Sequence, residues 1–177
     1  ITIQNVAQTP REEYGQFFAT YVAWNQDRGH FYWAADGQLV NYLDRGARGL
    51  NYFVTARGSP YEKLGHVPHC ARGGGKVKAV WQRPISVSHP GPRGFHHVQM
   101  TEEAVTAALG MGGRGYAQDY ILAPPGMTLA TGASFRAHVR HVFVKPTGGD
   151  WPKTLNSLWD DFSADHEQIH KMTSGGR

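Results

Sequence analysis

Hydrophobic positions in this chain fall into many short runs rather than a few long ones. Tyr14, Phe17, Phe18, Tyr21 and Val22 recur at the spacing of one helical face. Ahead of them, Thr9, Pro10 and Glu12 supply an N-cap, a first-turn proline and the glutamate of a capping box. This pattern predicts a first helix. After Asn25 the pattern shifts to aromatic and β-branched runs over 30–34, 38–43 and 51–56, with Asp36-Gly37 as a hairpin signal. Strands are predicted there, and again over 76–81, 84–87, 119–123 and 134–145. Residues 57–75 hold five glycines and two prolines and predict a long loop. Thr101 caps a short predicted helix over 102–109. A final helix begins near Pro152 and carries Leu155, Leu158, Trp159, Phe162, His166 and Ile169 on one stripe.

Alternating strand signals around a few helices predict an α+β chain, and no repeat or composition break divides it, so residues 1–177 are read as one globular domain. A hydrophobic content of 40% supports a packed core, while 22 glycines and 10 prolines demand many turns. No apolar run is long enough for a membrane-spanning helix, and no membrane insertion is expected. Residues 1–8 show neither the basic nor the apolar part of a secretory leader, and a chain opening on Ile1 reads as a mature product or an excised piece. With one cysteine, Cys70, there is no internal disulfide and no multi-cysteine zinc module.

Charge changes the picture more than composition does. The net charge of +4 hides an asymmetry: residues 45–93 carry nine Lys/Arg against one acid, while residues 150–167 carry five acids against one lysine. A positive midsection suits phosphate-bearing partners, whether dinucleotide or nucleic acid.

Three constellations could carry chemistry. His166-Glu167-Gln168-Ile169-His170 has the spacing that puts two imidazoles on one helical face to hold zinc, with a glutamate to activate water. A zinc hydrolase built on His166 and His170, joined by His69 from the cluster His66-Val67-Pro68-His69-Cys70, is one reading. The basic midsection interleaved with Tyr52, Phe53 and Trp81 suits RNA, and a metal-independent ribonuclease using a histidine such as His97 is a second. No G-x-S-x-G elbow and no complete phosphate loop is present.

The third constellation is a family likeness. Gly115-Tyr-Ala-Gln-Asp-Tyr-Ile-Leu-Ala-Pro-Pro-Gly126, then His138-Val-Arg-His-Val-Phe-Val-Lys-Pro146 and Leu155-Asn-Ser-Leu-Trp-Asp-Asp-Phe162, resembles ADP-ribosyltransferase-fold toxins, above all the group of a type VI secretion effector and its fungal relatives. Upstream, His30-Phe-Tyr-Trp-Ala-Ala35 is similar to the first strand of that fold, and Phe53-Val-Thr-Ala-Arg-Gly-Ser59 to its Ser/Thr-rich strand. The resemblance implies two packed, twisted, mostly antiparallel β-sheets with peripheral helices and NAD as substrate in the cleft between them. It implies no metal. It further implies a toxin or effector, secreted or delivered into a target cell, that transfers ADP-ribose to a macromolecular acceptor or hydrolyses NAD, and that has an immunity protein as partner. Carried over by position, His30 and Asp119 are the catalytic pair, and Tyr32, Thr55, Arg57 and Ser59 hold NAD. Two positions depart from the family pattern: Trp33 stands where an arginine is common, and Gln118-Asp119-Tyr120 where a glutamate precedes the turn. Asp119 serves as the carboxylate if the register moves by one residue, which in a strand reverses the face.

Overall fold

The computed structural model describes the chain apart from residues 13–14, 23–27, 46–51, 68–74, 113–116, 147 and 175–177. Strands and helices, in chain order, are β1 (Thr2–Gln4), β2 (Gln16–Tyr21), β3 (His30–Ala34), β4 (Leu39–Asn41), β5 (Tyr52–Thr55), α1 (Pro60–Leu64), β6 (His66–Val67) and β7 (Gly75–Ser88). Then follow β8 (His96–Thr101), β9 (Thr106–Gly112), β10 (Ala117–Leu122), β11 (Ser134–Arg136), β12 (Val139–Val144) and α2 (Trp151–Ser174). The chain is thus mixed α+β, mostly sheet, with two α-helices among the described residues and one large curled sheet. It divides into two compact units, Ile1–Val144 and Lys145–Arg177.

In the first unit the organising element is β7. Its early residues pair with β5 in parallel, Tyr52 opposite Lys76 through Thr55 opposite Val80, and with β6 on the other side. Its late residues pair with β8, Ile85 opposite Met100 and Val87 opposite Val98, and with β3, His30 opposite Ser88. One strand therefore belongs to two half-sheets. Pro84 lies between the two pairing regions, and the β3 register shifts opposite it, between Tyr32 and Ala34. A proline cannot donate to the ladder, and a bulge bends the strand that carries it, so the sheet curls there.

The first half-sheet runs β7–β5–β9–β10–β2, and the second runs β12–β8–β7–β3–β4. One apolar cluster holds Tyr32, Tyr42, Val54, Trp81, Leu109, Tyr120, Leu122 and Phe135, drawn from both halves. A second, with Phe53, Tyr61, Val67, Ala107, Ile121, Ala123 and Met127, covers the other face of the first half-sheet. Adjacent residues of β5 and β10 thus point into different clusters: Val54 and Phe53, Tyr120 and Ile121. Burial on both faces explains why β10 is buried along its whole length.

Two expectations from the sequence are corrected. The predicted first helix gives way to β2, which pairs antiparallel with β10, Phe18 opposite Tyr120 with the rings stacked at 5.2 Å. Aromatic and β-branched residues suit a pleated surface, and the edge of β10 offers hydrogen bonds that the local capping signal cannot match. The predicted helix over 102–109 becomes a 3-10 turn, Glu103–Val105, followed by β9. A strand buried on both faces reads as a continuous apolar run, which periodicity cannot separate from a helix. Within the predicted loop over 57–75, the described residues form α1, capped by Ser59, and β6.

The second unit contains α2, which starts as the sequence predicts. Asp150 Oδ1 accepts from Lys153 N at 3.1 Å at the helix N-terminus, and Trp159 and Phe162 meet at 5.5 Å along the predicted stripe.

Leu109 is fully buried in the cluster shared by the half-sheets, whereas Leu64 is 57% exposed on α1. Leu109→Ala is expected to cost about 2–5 kcal/mol in urea unfolding, and Leu64→Ala to stay within about 0.5 kcal/mol of the parent.

Candidate functional site

One group of buried polar residues interrupts the apolar interior. On the second half-sheet, strand register sets Tyr32, Ser86, Gln99 and His141 side by side across β3, β7, β8 and β12. The next row toward the sheet end holds His30, Ser88, His97 and Phe143. Successive residues of a strand alternate faces, so these two rows lie on one face. His30, Ser86, Ser88, His97 and Gln99 are all buried.

Gln118 reaches this face from β10 of the first half-sheet. Its Oε1 accepts a hydrogen bond from His97 Nδ1, and its Nε2 donates to Ser86 Oγ at 3.1 Å. His97 Nε2 is in turn 3.0 Å from His141 Nδ1. The two imidazole planes differ by 4° with centroids 5.1 Å apart, so the rings meet edge to edge. With Nδ1 of His97 donating to a carbonyl oxygen, its Nε2 is the acceptor, and His141 donates from Nδ1. The backbone N–H of His97 is bound by Ser88 Oγ at 2.8 Å, which fixes the strand beneath the ring.

Electrostatics keep this cluster uncharged. Burial, followed by the neighbouring His97 and His89, pushes His30 down to about 3. Burial also lowers His97, against the raising effect of its Gln118 bond, and lowers His141. The two buried imidazoles, His30 and His97, cannot both carry protons, since each charge is desolvated and repels the other. Gln99 adds an unusual feature: both its amide atoms are buried and have no hydrogen-bond partner among the described residues. A buried unsatisfied amide is costly and marks a place where a polar ligand group would be stabilised.

At the open end of the second row, a cleft of about 430 Å³ is lined by Gly91, Pro92, Arg93, Phe95 and Phe143. The Phe143 ring lies 5.2 Å from His97, so the cleft adjoins the polar rows. Two phenyl faces suit an aromatic heterocycle, and a guanidinium suits a phosphate.

The residues marked out in the sequence fall in different places. His30 and Tyr32 lie on the polar face. Thr55 and Ser59 lie elsewhere: Thr55 Oγ1 donates to Ala107 O at 2.6 Å and meets Ser59 Oγ at 3.0 Å, while Ser59 caps α1. Thr55 shares a strand face with Phe53 of the second apolar cluster. Arg57 is exposed on the turn between β5 and α1. Asp119 is buried on the face of β10 opposite to Gln118, the face of Ile121. Neither of its carboxylate oxygens has a partner among the described residues, and burial pushes it up to about 7. His166 and His170 lie one turn apart on α2, and His69 lies outside the described residues, as does Cys70.

Ser86, Ser88 and Gln99 were not singled out by the sequence; Gln118 entered only as a departure from the family pattern, and His141 only within the stretch His138–Pro146 that carries the resemblance. A usable signal existed: Ser86-x-Ser88 and His97-x-Gln99-x-Thr101 put polar residues at every second position of otherwise apolar strands. Comparison with family models, with curated proteins and with solved structures gives no match, so the chemistry rests on the residues themselves.

A carboxyl raised by burial stabilises the fold below its unfolded value near 3.8, and that stabilisation is lost as pH rises through about 7. Asp119→Asn is therefore expected to match the parent in unfolding free energy near pH 4 and to exceed it at pH 8, by up to about 4 kcal/mol. Equal stabilities at pH 8 would show that the carboxylate is solvated.

Proposed function

We propose that the chain binds NAD on this polar face and cleaves the bond between nicotinamide and ribose, with water as the favoured acceptor of ADP-ribose. The observation that carries this reading is Gln118, a buried amide aimed from one half-sheet at the polar rows of the other. The group that the resemblance would make a carboxylate at this strand is thus replaced on the inward side by an amide. An amide cannot take a proton from an acceptor side chain, but it can orient a water molecule or the ribose hydroxyls. Cleavage with loss of nicotinamide leaves a ribosyl cation so electrophilic that water needs positioning more than activation. Atoms balance as NAD⁺ and water giving ADP-ribose, nicotinamide and one proton.

The neighbouring cleft supports the same ligand. Phe95 and Phe143 offer surfaces for a heterocycle and Arg93 offers charge for the pyrophosphate, while the Gln99 amide, without a partner among the described residues, lies in the buried polar rows. His30 and Tyr32 line the same face. A toxin or effector delivered to a target cell, with transfer to a macromolecule as a further activity and an immunity protein covering the cleft, is the biological setting that the resemblance supports. The fold type of the ADP-ribosyltransferases belongs to this proposal as well: two half-sheets joined by one long strand, with a polar site between them, agree with it.

A second reading, a metal-independent ribonuclease, would rest on the pair His97 and His141. In-line transfer of a phosphoryl group needs an acid and a base on opposite sides of the phosphorus. Two imidazoles hydrogen-bonded to each other do not meet that requirement, which ranks this reading below the first.

Released nicotinamide and ADP-ribose, followed chromatographically at millimolar NAD, test the proposal. Turnover by the parent chain, a loss of roughly 100-fold or more in Gln118→Ala and near-parent turnover in Asp119→Asn are expected. No nicotinamide release, together with metal-free cleavage of RNA, would transfer the case to the second reading.

A further inference from the structure

The Gln118 amide can occupy its place in two ways. As found, Oε1 faces His97 and Nε2 faces Ser86. Turned over, it would donate to His97 Nδ1 and accept from the Ser86 hydroxyl, because an imidazole and a hydroxyl can each exchange donor and acceptor roles. Both arrangements fill the same volume, so packing does not choose between them. The choice falls to whatever fixes the proton on His97.

The ionisable groups around His97 are His30 from β3 and His141 from β12, with His89 adjoining His30. His141 meets the ring directly, Nδ1 to Nε2 at 3.0 Å, in nearly the same plane. We propose that His141 is a positioning residue: by donating to His97 it commits His97 to the Nδ1–H form and so holds Gln118 with its carbonyl toward His97 and its NH₂ group toward Ser86. The functional consequence rests on the NAD reading, whereas the proton placement rests on the hydrogen-bond geometry alone.

The chain of bonds runs through three strands, from β12 to β8 to β10, and it is directional. If His141 presented a lone pair instead of an N–H, His97 would carry its proton on Nε2, and the amide would be stable only when reversed. Gln118 would then offer a donor where a bound ligand meets an acceptor, and the reverse. His141 itself is exposed, so a group at the surface sets the orientation of a fully buried amide. The arrangement also explains why a histidine pair occurs here without opposing acid and base roles: its outer member orients, and its inner member transmits.

Asp at neutral pH can only accept from His97, so His141→Asp excludes the donated bond, whereas Asn, of nearly the same size, keeps the capacity to donate. The parent chain, His141→Asn and His141→Asp are compared at pH 7.5, with steady-state NAD hydrolysis and long-range ¹H–¹⁵N imidazole spectra as readouts. The parent and His141→Asn are expected to show His97 protonated on Nδ1 alone. In His141→Asp the Nε2 site gains a proton, and kcat falls at least about 10-fold below that of His141→Asn with KM little changed. Matching melting temperatures for the two variants exclude a folding defect as the cause. An Nε2–H form of His97 in the parent, or equal kcat in the Asn and Asp variants, overturns the proposal. If the parent releases no nicotinamide, the NAD reading fails by itself, and the spectra still decide the role of His141.

Discussion

Most of the first unit depends on β7 belonging to two half-sheets at once. Its early residues are held between β5 and β6, and its late residues between β8 and β3. A strand shared in this way cannot shift register without breaking four ladders, and a shift of one residue would exchange the faces of every side chain it carries. Ser86 and Ser88 therefore point inward as firmly as Ile85 and Val87 point away. Pro84, which removes one ladder donor, sits where the two pairings change over and where the sheet curls.

That curl lets an apolar interior and a polar site share one space. Tyr32, Trp81, Leu109 and Tyr120 fill part of the volume between the half-sheets, and the polar rows occupy the rest. Polar groups so placed have to be paired or cost free energy. Ser86, Gln118, His97 and His141 form one continuous set of bonds, and burial keeps the imidazoles neutral, which makes such a set affordable in an apolar setting. Gln99 has no partner among the described residues, which leaves unmet hydrogen-bonding capacity within the buried polar rows.

The chemistry that the site can support is decided by alternation on β10. Gln118 and Asp119 are neighbours in sequence, yet they face different volumes: Gln118 meets His97 and Ser86, and Asp119 lies among apolar residues with Ile121. An amide faces the polar rows and a carboxyl is turned away from them. This single fact moves the reading from a charged acid stabilising a transfer toward a neutral amide orienting water.

Local signals in the sequence were sufficient for elements whose cause is local. Asp36-Gly37 forms the β3–β4 turn, with Gly37 at φ +82° and the Asp36 carboxylate accepting from Gln38 N, and the capped helix from Trp151 carries its predicted stripe. The strand signals over 76–81, 84–87 and 134–145 were also legible and fall in β7, β11 and β12, whereas His30 and Tyr32 were marked out only through the family resemblance. Thr9 to Glu12 and the run from Glu102 to Leu109 misled because a strand buried on both faces, or paired at an edge with an aromatic partner, looks helical when read alone. Only the tertiary structure decided which of Gln118 and Asp119 turns inward, and that His97 from β8 meets Gln118 from β10 and His141 from β12. Register between strands distant in sequence sets those contacts, and register is a property of the whole sheet.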